Sequence, residues 1–127
     1  MKLLCTFLLV LLTYGCNSYL TPEETVNKSM IACQKGDADT RWELTDKASK
    51  KKLLKDKTEA EVLKRFKQEA FMYQFVKSWE TEVIEQTDSK ISMKMKYKFL
   101  DPHSKRIKDK ETDVVLHLEE GRWKIEE

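Results

Sequence analysis

Residues 91–99 read Ile-Ser-Met-Lys-Met-Lys-Tyr-Lys-Phe, apolar and polar in unbroken alternation. Successive side chains of a β-strand point to opposite faces. This period of two therefore puts Ile91, Met93, Met95, Tyr97 and Phe99 on a dry face and Ser92, Lys94, Lys96 and Lys98 on a wet one. A strand with one dry face needs paired neighbours beside it and a covering layer above it. The flanking sequence supplies both.

From Lys77 the same period places Trp79, Thr81 and Val83 on one face of an earlier strand. Gln86 to Lys90 and the Asp-Pro segment Leu100 to Ser104 read as the turns on either side of the 91–99 strand. Further on, Val114, Leu116 and Leu118 share a face, and so do Trp123 and Ile125. A two-residue turn at Glu120-Gly121 sets Leu118 opposite Trp123 and Leu116 opposite Ile125, apolar against apolar, with Glu119 opposite Arg122 on the other face. Ile107 has the wrong parity for that inner face, so a bulge or bend is expected between Ile107 and Val114.

The segments before the strands read as helices. Thr21-Pro22-Glu23-Glu24 combines a capping hydroxyl, a proline suited to the first helical turn and a glutamate placed to complete a capping box. Val26, Met30 and Cys33 then mark one face, and Gly36 supplies a left-handed stop. Asp37-Ala38-Asp39 starts a short second helix with Trp42 and Leu44 turned inward. Thr58 to Glu61 repeats the capping box. Val62, Phe66, Ala70 and Tyr73 follow on one helical face with Leu63 alongside, a spacing that belongs to core. Between these helices, residues 47–57 hold six lysines and one aspartate. That run reads either as a solvated rim around Leu53-Leu54 or as a patch facing an anionic membrane, where each lysine gains ~1 kcal/mol.

The amino terminus carries an address. Lys2 precedes Leu3 to Leu12, an apolar run broken only by Thr6. As a helix it would reach ~15 Å, about half of a ~30 Å hydrocarbon core, so it suits a cleaved export signal and not a span. It ends Thr13-Tyr14-Gly15-Cys16, which resembles the bacterial lipoprotein signal, where Gly or Ala precedes a cysteine that is lipidated and becomes the mature N-terminus. Thr13 and Tyr14 depart from the usual residues of that signal. A plain signal peptide with an incidental Cys16 is the alternative. Residues 1–15 are thus expected to be removed, Cys16 to carry acyl chains, and 16–20 to form a tether reaching only ~14 Å. The 21–127 domain should then sit close to its membrane, at the bacterial cell envelope. Asn17 leans towards the outer membrane in enteric-type sorting.

Cysteine usage agrees with this reading. Cys5 leaves with the signal and Cys16 is consumed, so Cys33 alone remains, packed as a small hydrophobe with no disulfide framework. The full chain has a formal charge of +2, and Lys2 is the only charged residue in 1–15, which leaves +1. That near-neutrality argues against a nucleic-acid partner. The 127 residues less the first 15 leave 112, one compact domain.

Helices first and an antiparallel meander after them make an α+β fold. Thr-Pro-Glu-Glu-x-Val in the first helix, its end at Gly36-Asp37, and four strands closing on Gly121-Arg122-Trp123-Lys124-Ile125 resemble the nuclear-transport-factor-2-like superfamily. Across residues 20–127 the chain is most similar to small bacterial lipoproteins with a DUF4878-type domain. The resemblance implies N-terminal helices packed on a strongly curved four-stranded sheet, a cone that can hold an apolar cavity at its wide end. Enzymes of that superfamily work inside the cone with Asp, His or Tyr acid–base groups.

Little here matches such chemistry. His103 lies in the Asp-Pro-His-Ser turn. His117 falls beside Lys124 on the outer face, with Asp113 as its nearest candidate partner. Turning His117 inward would slip the third strand by one residue and expose Leu116 and Leu118, a loss of roughly 3–6 kcal/mol. No zinc-protease, redox-cysteine, nucleophile-elbow or phosphate-loop motif occurs, and two separated histidines with one buried cysteine suggest no metal set. No catalytic residue and no cofactor is expected. Met93, Met95, Tyr97 and Trp123 read first as filled core and alternatively as cavity lining. Two functions follow: a membrane-anchored binding module for a small apolar ligand or an envelope protein, or an acid–base enzyme of the cone type, isomerase or hydrolase.

Overall fold

A computed structural model describes residues 19–127. The expected signal and the lipidation residue Cys16 lie outside the described residues. Helix α1 spans Pro22–Lys35, α2 Ala38–Glu43, α3 Lys47–Leu53 and α4 Glu59–Tyr73. Strands β1 Val76–Gln86, β2 Lys90–Leu100, β3 Ile107–Glu119 and β4 Arg122–Ile125 follow. They form one antiparallel sheet in the order β1-β2-β3-β4. Among the described residues no helix is long and apolar enough to cross a membrane.

Local chemistry accounts for the ends of the elements. Thr21 Oγ1 accepts from Glu24 N at 3.2 Å while Glu24 Oε1 accepts from Thr21 N at 3.1 Å, and Thr58 with Glu61 repeats the arrangement. Two orphan amides of each helix are satisfied in this way. Gly36 ends α1 at φ +71°, letting Asp37 N donate back to Ala32 O. In the β3–β4 turn both Glu120 and Gly121 have positive φ, the geometry whose twist suits a two-residue hairpin.

The hairpin register is Leu116 with Ile125, His117 with Lys124, Leu118 with Trp123 and Glu119 with Arg122, as the alternation predicts. Along β2 the dry face is buried at Ile91, Met93 and Met95, which join Val26, Met30, Val76 and Leu116 in the main core. A second cluster, Ala38, Val62 and Phe66, lies between α2 and α4 with Trp42, Leu53 and Leu63 packed on it. On the outer face the β2 lysines run between two acidic rows. Lys94 and Lys96 stand opposite Glu82 and Glu80 of β1 and opposite Asp113 and Glu111 of β3.

The bulge expected between Ile107 and Val114 does not form. β3 pairs with β2 without slip from Ile107 to His117, and Ile107 stays on the outer face opposite Leu100, 61% exposed. The physical reason is that residues 107–113 are all exposed, so no core there enforces parity. The irregularities fall instead on β1, between Val76 and Ser78 and between Val83 and Glu85. Bulges increase local twist and bend a strand, so curvature enters at this edge of the sheet. The other edge is covered: Leu44 to Asp46 runs parallel to β4, with Asp46 N donating to Ile125 O and Ile125 N to Leu44 O. Such cover keeps a short edge strand from pairing elsewhere.

Candidate functional site

The concave face of the sheet is only partly filled. Towards the Met95–Phe99 end of β2, a cleft of about 440 Å³ opens between α1, the end of α4 and the sheet. Its apolar walls come from Val26 and Met30 of α1, Met72 of α4, and Met95, Tyr97 and Phe99 of β2. The spacing that creates it is visible strand by strand. Opposite Met95, β3 places Thr112, an exposed inner-face residue too small to fill the space. Farther in, Met93 faces Val114 and Ile91 faces Leu116, and there the core closes.

Of the four residues named from sequence as lining, Met95 and Tyr97 border this cleft. Met93 lies beneath it, 1% exposed in the core. Trp123 is half-buried against that core and borders a different, smaller depression with Tyr19, Lys28 and Glu43.

Polar groups gather on one wall. Cys33, Tyr73 and Glu127 border the cleft, and Arg41 backs them. Arg41 is 5% exposed; Nε and Nη2 donate to the two carboxylate oxygens of Glu127 at 3.0 and 3.3 Å, and Nη1 donates to Glu69 at 3.3 Å. Its guanidinium lies 3.8 Å from the Phe66 ring centroid and 5.5 Å from that of Tyr73. Burial opposes charge on Arg41, but the hydrogen bonds and charge of Glu127 outweigh it and raise its pKa. Burial pushes the Cys33 thiol up, against the pull of Arg41, and pushes Tyr73 up to about 12. Both groups are therefore held in their neutral forms around neutral pH. Sequence reading missed Arg41, although Ala38 and Arg41 share one buried face of α2, three residues apart.

The histidines lie elsewhere. His103 is exposed in a turn organised by Asp101, whose Oδ1 accepts from His103 N and Ser104 N and whose Oδ2 pairs with Lys108 at 2.7 Å. The Lys108 contact, with these backbone donors, holds the Asp101 carboxyl well below the usual range. His117 is on the outer face as expected, with Leu116 fully buried, but its partner is not Asp113. Its Nε2 lies 3.7 Å from Asp46 Oδ2 and 3.6 Å from Glu126 Oε1. These three ligand atoms lie within 4.8 Å of one another, and they are the set among the described residues whose spacing could hold a metal ion.

The lysines of 47–57 occupy α3 and the loop after it. Lys47, Lys51, Lys52, Lys55 and Lys57 are exposed, while Lys50 stands 5.2 Å over the Trp42 ring.

No family model and no curated protein matches the chain. Solved structures do. A variant of Rd1NTF2_05 is similar with a TM-score of 0.52 at 14% identity, covering 78% of this chain and 86% of the other. A "Putative NTF2-like transpeptidase" from Campylobacter jejuni is similar with a TM-score of 0.50 at 16% identity, covering 84% and 99%. The chain has the nuclear-transport-factor-2-like fold, helices on a curved four-stranded antiparallel sheet.

Proposed function

We propose that this chain is a lipid-anchored lipoprotein of the bacterial cell envelope, of the DUF4878 type, whose cone-shaped domain binds a small apolar ligand and does not catalyse. The observation that carries the binding reading is the open cleft beneath Met95, Tyr97 and Phe99, about 440 Å³ in volume. Pockets for small molecules fall in the range of ~300–1,000 Å³ and combine apolar walls with a few placed polar groups. Three methionines in the walls give an adaptable surface that accepts apolar shapes without demanding one. The Cys33–Tyr73–Glu127 wall offers a polar end to orient a ligand.

The titratable groups of the cleft support binding over acid–base chemistry. A general acid or base works best with a pKa near the working pH. Burial moves Tyr73 and Cys33 away from neutrality, Glu127 is held by Arg41, and the other two carboxylates of the lining, Asp113 and Glu126, are exposed to solvent. Both histidines stand outside the cleft walls. The anchor is supported by the Gly15-Cys16 signal and by a first helix that starts at Pro22, close behind it.

Mass measurement under native conditions on the full chain purified from its own host tests the binding reading. A bound apolar compound, released on denaturation, is the expected result. A chain free of adducts that also takes up no apolar compound on titration would contradict it.

A further inference from the structure

The geometry points to a divalent metal site of the zinc class at Asp46, His117 and Glu126, on the outer side of the sheet edge. It does not rest on the lipid anchor, and it shares only Glu126 with the lining of the apolar cleft. Each ligand comes from a segment fixed by backbone hydrogen bonds. Asp46 N donates to Ile125 O, Glu126 N donates to Val115 O, and His117 is set by its register with Lys90 on one side and Lys124 on the other. Rigid elements hold the ligand set before any ion arrives.

Asp46 is the buried member of the set. The residue is 1% exposed. Its Oδ1 accepts from Ser49 N at 2.7 Å, whereas Oδ2 receives no hydrogen bond among the described residues and faces His117 Nε2 at 3.7 Å. With Oδ1 taken by Ser49 N and Oδ2 facing the His117 ring, the second oxygen keeps lone pairs to offer a cation. Lys124, the nearest lysine on that face of β4, directs its ammonium to Glu43 O instead.

Charge and spacing select the ion. Two carboxylates and a neutral imidazole balance a divalent cation. Zinc holds N and O ligands at ~2.0–2.2 Å, which in a tetrahedron places them ~3.3–3.6 Å apart. The two separations from His117, 3.6 and 3.7 Å, are near this, and the two carboxylates, within 4.8 Å of each other, close on the ion as it binds. Calcium and magnesium favour all-oxygen shells of six or more ligands, so the imidazole argues for a borderline ion. His117 and Glu126 are partly exposed, leaving the fourth position open to water or to a ligand from outside. Bound there, the ion would pin the end of β4 to the segment that covers its edge.

The test is a Zn²⁺ titration of the full chain against a chromophoric chelator near neutral pH. His117→Gln and Glu126→Gln serve as ligand variants and His103→Gln as the control. Neither ligand substitution removes core packing, and circular dichroism verifies that each variant folds. The expected result is about one equivalent of Zn²⁺ bound by the wild type and by His103→Gln, with affinity lowered at least ~10-fold in each ligand variant. Zn²⁺ should also shift the ring resonances of His117 and not those of His103. Absence of stoichiometric binding overturns the site, as does binding that survives both ligand substitutions or leaves the His117 ring unmoved.

Discussion

Arg41 and Glu127 form a two-pronged ion pair, Nε to Oε1 at 3.0 Å and Nη2 to Oε2 at 3.3 Å, at a polar wall of the cleft. The pair ties α2 to the residues after β4, so the end of the sheet and the helical layer are joined through one buried guanidinium. Removing one member of a buried pair leaves the other uncompensated, at ~3–5 kcal/mol for full burial. Glu127 and Glu69 keep 23% and 32% exposure, which softens that cost. Arg41→Met should therefore destabilise by about 2–3 kcal/mol, and Glu127→Gln by less because Glu69 still holds the guanidinium. Urea unfolding of the two variants checks the order; a larger loss for Glu127→Gln would mean that Glu127 is the partner the fold depends on.

Gly36 tests the turn between α1 and α2. At φ +71° a β-branched side chain is strained, at ~1–3 kcal/mol. The space itself is adequate, since a Cβ there meets Ala70 Cβ at 3.4 Å. Gly36→Ala should cost about 1 kcal/mol and Gly36→Val more. Equal stabilities of both variants and the wild type, measured by denaturant unfolding, would contradict the left-handed cap.

Tyr73 gives a signature in alkali. Its pKa is raised from 10.0 to about 12, chiefly by burial. Between those values the unfolded chain has released the phenolic proton and the folded chain still holds it. Stability from this group is thus complete below pH ~10 and falls as pH rises towards ~12. Tyr73→Phe should flatten that part of the stability curve. Ultraviolet titration should show one tyrosine ionising last; identical behaviour of wild type and variant would place Tyr73 in solvent.

Cys16→Ser should abolish labelling by a fatty-acid analogue and release the chain to the soluble fraction, because no helix among the described residues can span a membrane. Continued labelling of the variant would contradict lipidation at Cys16. Retention without labelling would shift the anchor to the lysines of 47–57.

What the sequence made legible was local. The alternation at 91–99, the two capping boxes and the Glu120-Gly121 turn each act within a few residues, and all appear where the pattern puts them. Ile107 misled because parity decides only where a core lies beneath the strand, whereas that end of β3 is exposed on both faces. Pairing His117 with Asp113 assumed that a histidine finds its partner along its own strand. Asp46 reaches it instead from the segment alongside β4, a contact that only the closed fold creates. Arg41 was hidden for a similar reason, since its burial depends on Glu69 and Glu127, both distant in the chain. The cleft stands in the sequence only as an alternative to filled core, with Met95 and Tyr97 among its lining, because alternation reports which face is inward and does not report whether that face is filled.

The cleft is tested most directly by blocking it. Thr112 stands opposite Met95 on its wall and is exposed, so Thr112→Trp fills space without displacing core. Wild-type chain titrated with an apolar fluorescent probe should take up about one equivalent, and Thr112→Trp should lose at least ~10-fold in affinity while keeping its unfolding midpoint. Uptake that is equal in the two proteins, or absent from the wild type, would contradict a ligand-binding cone.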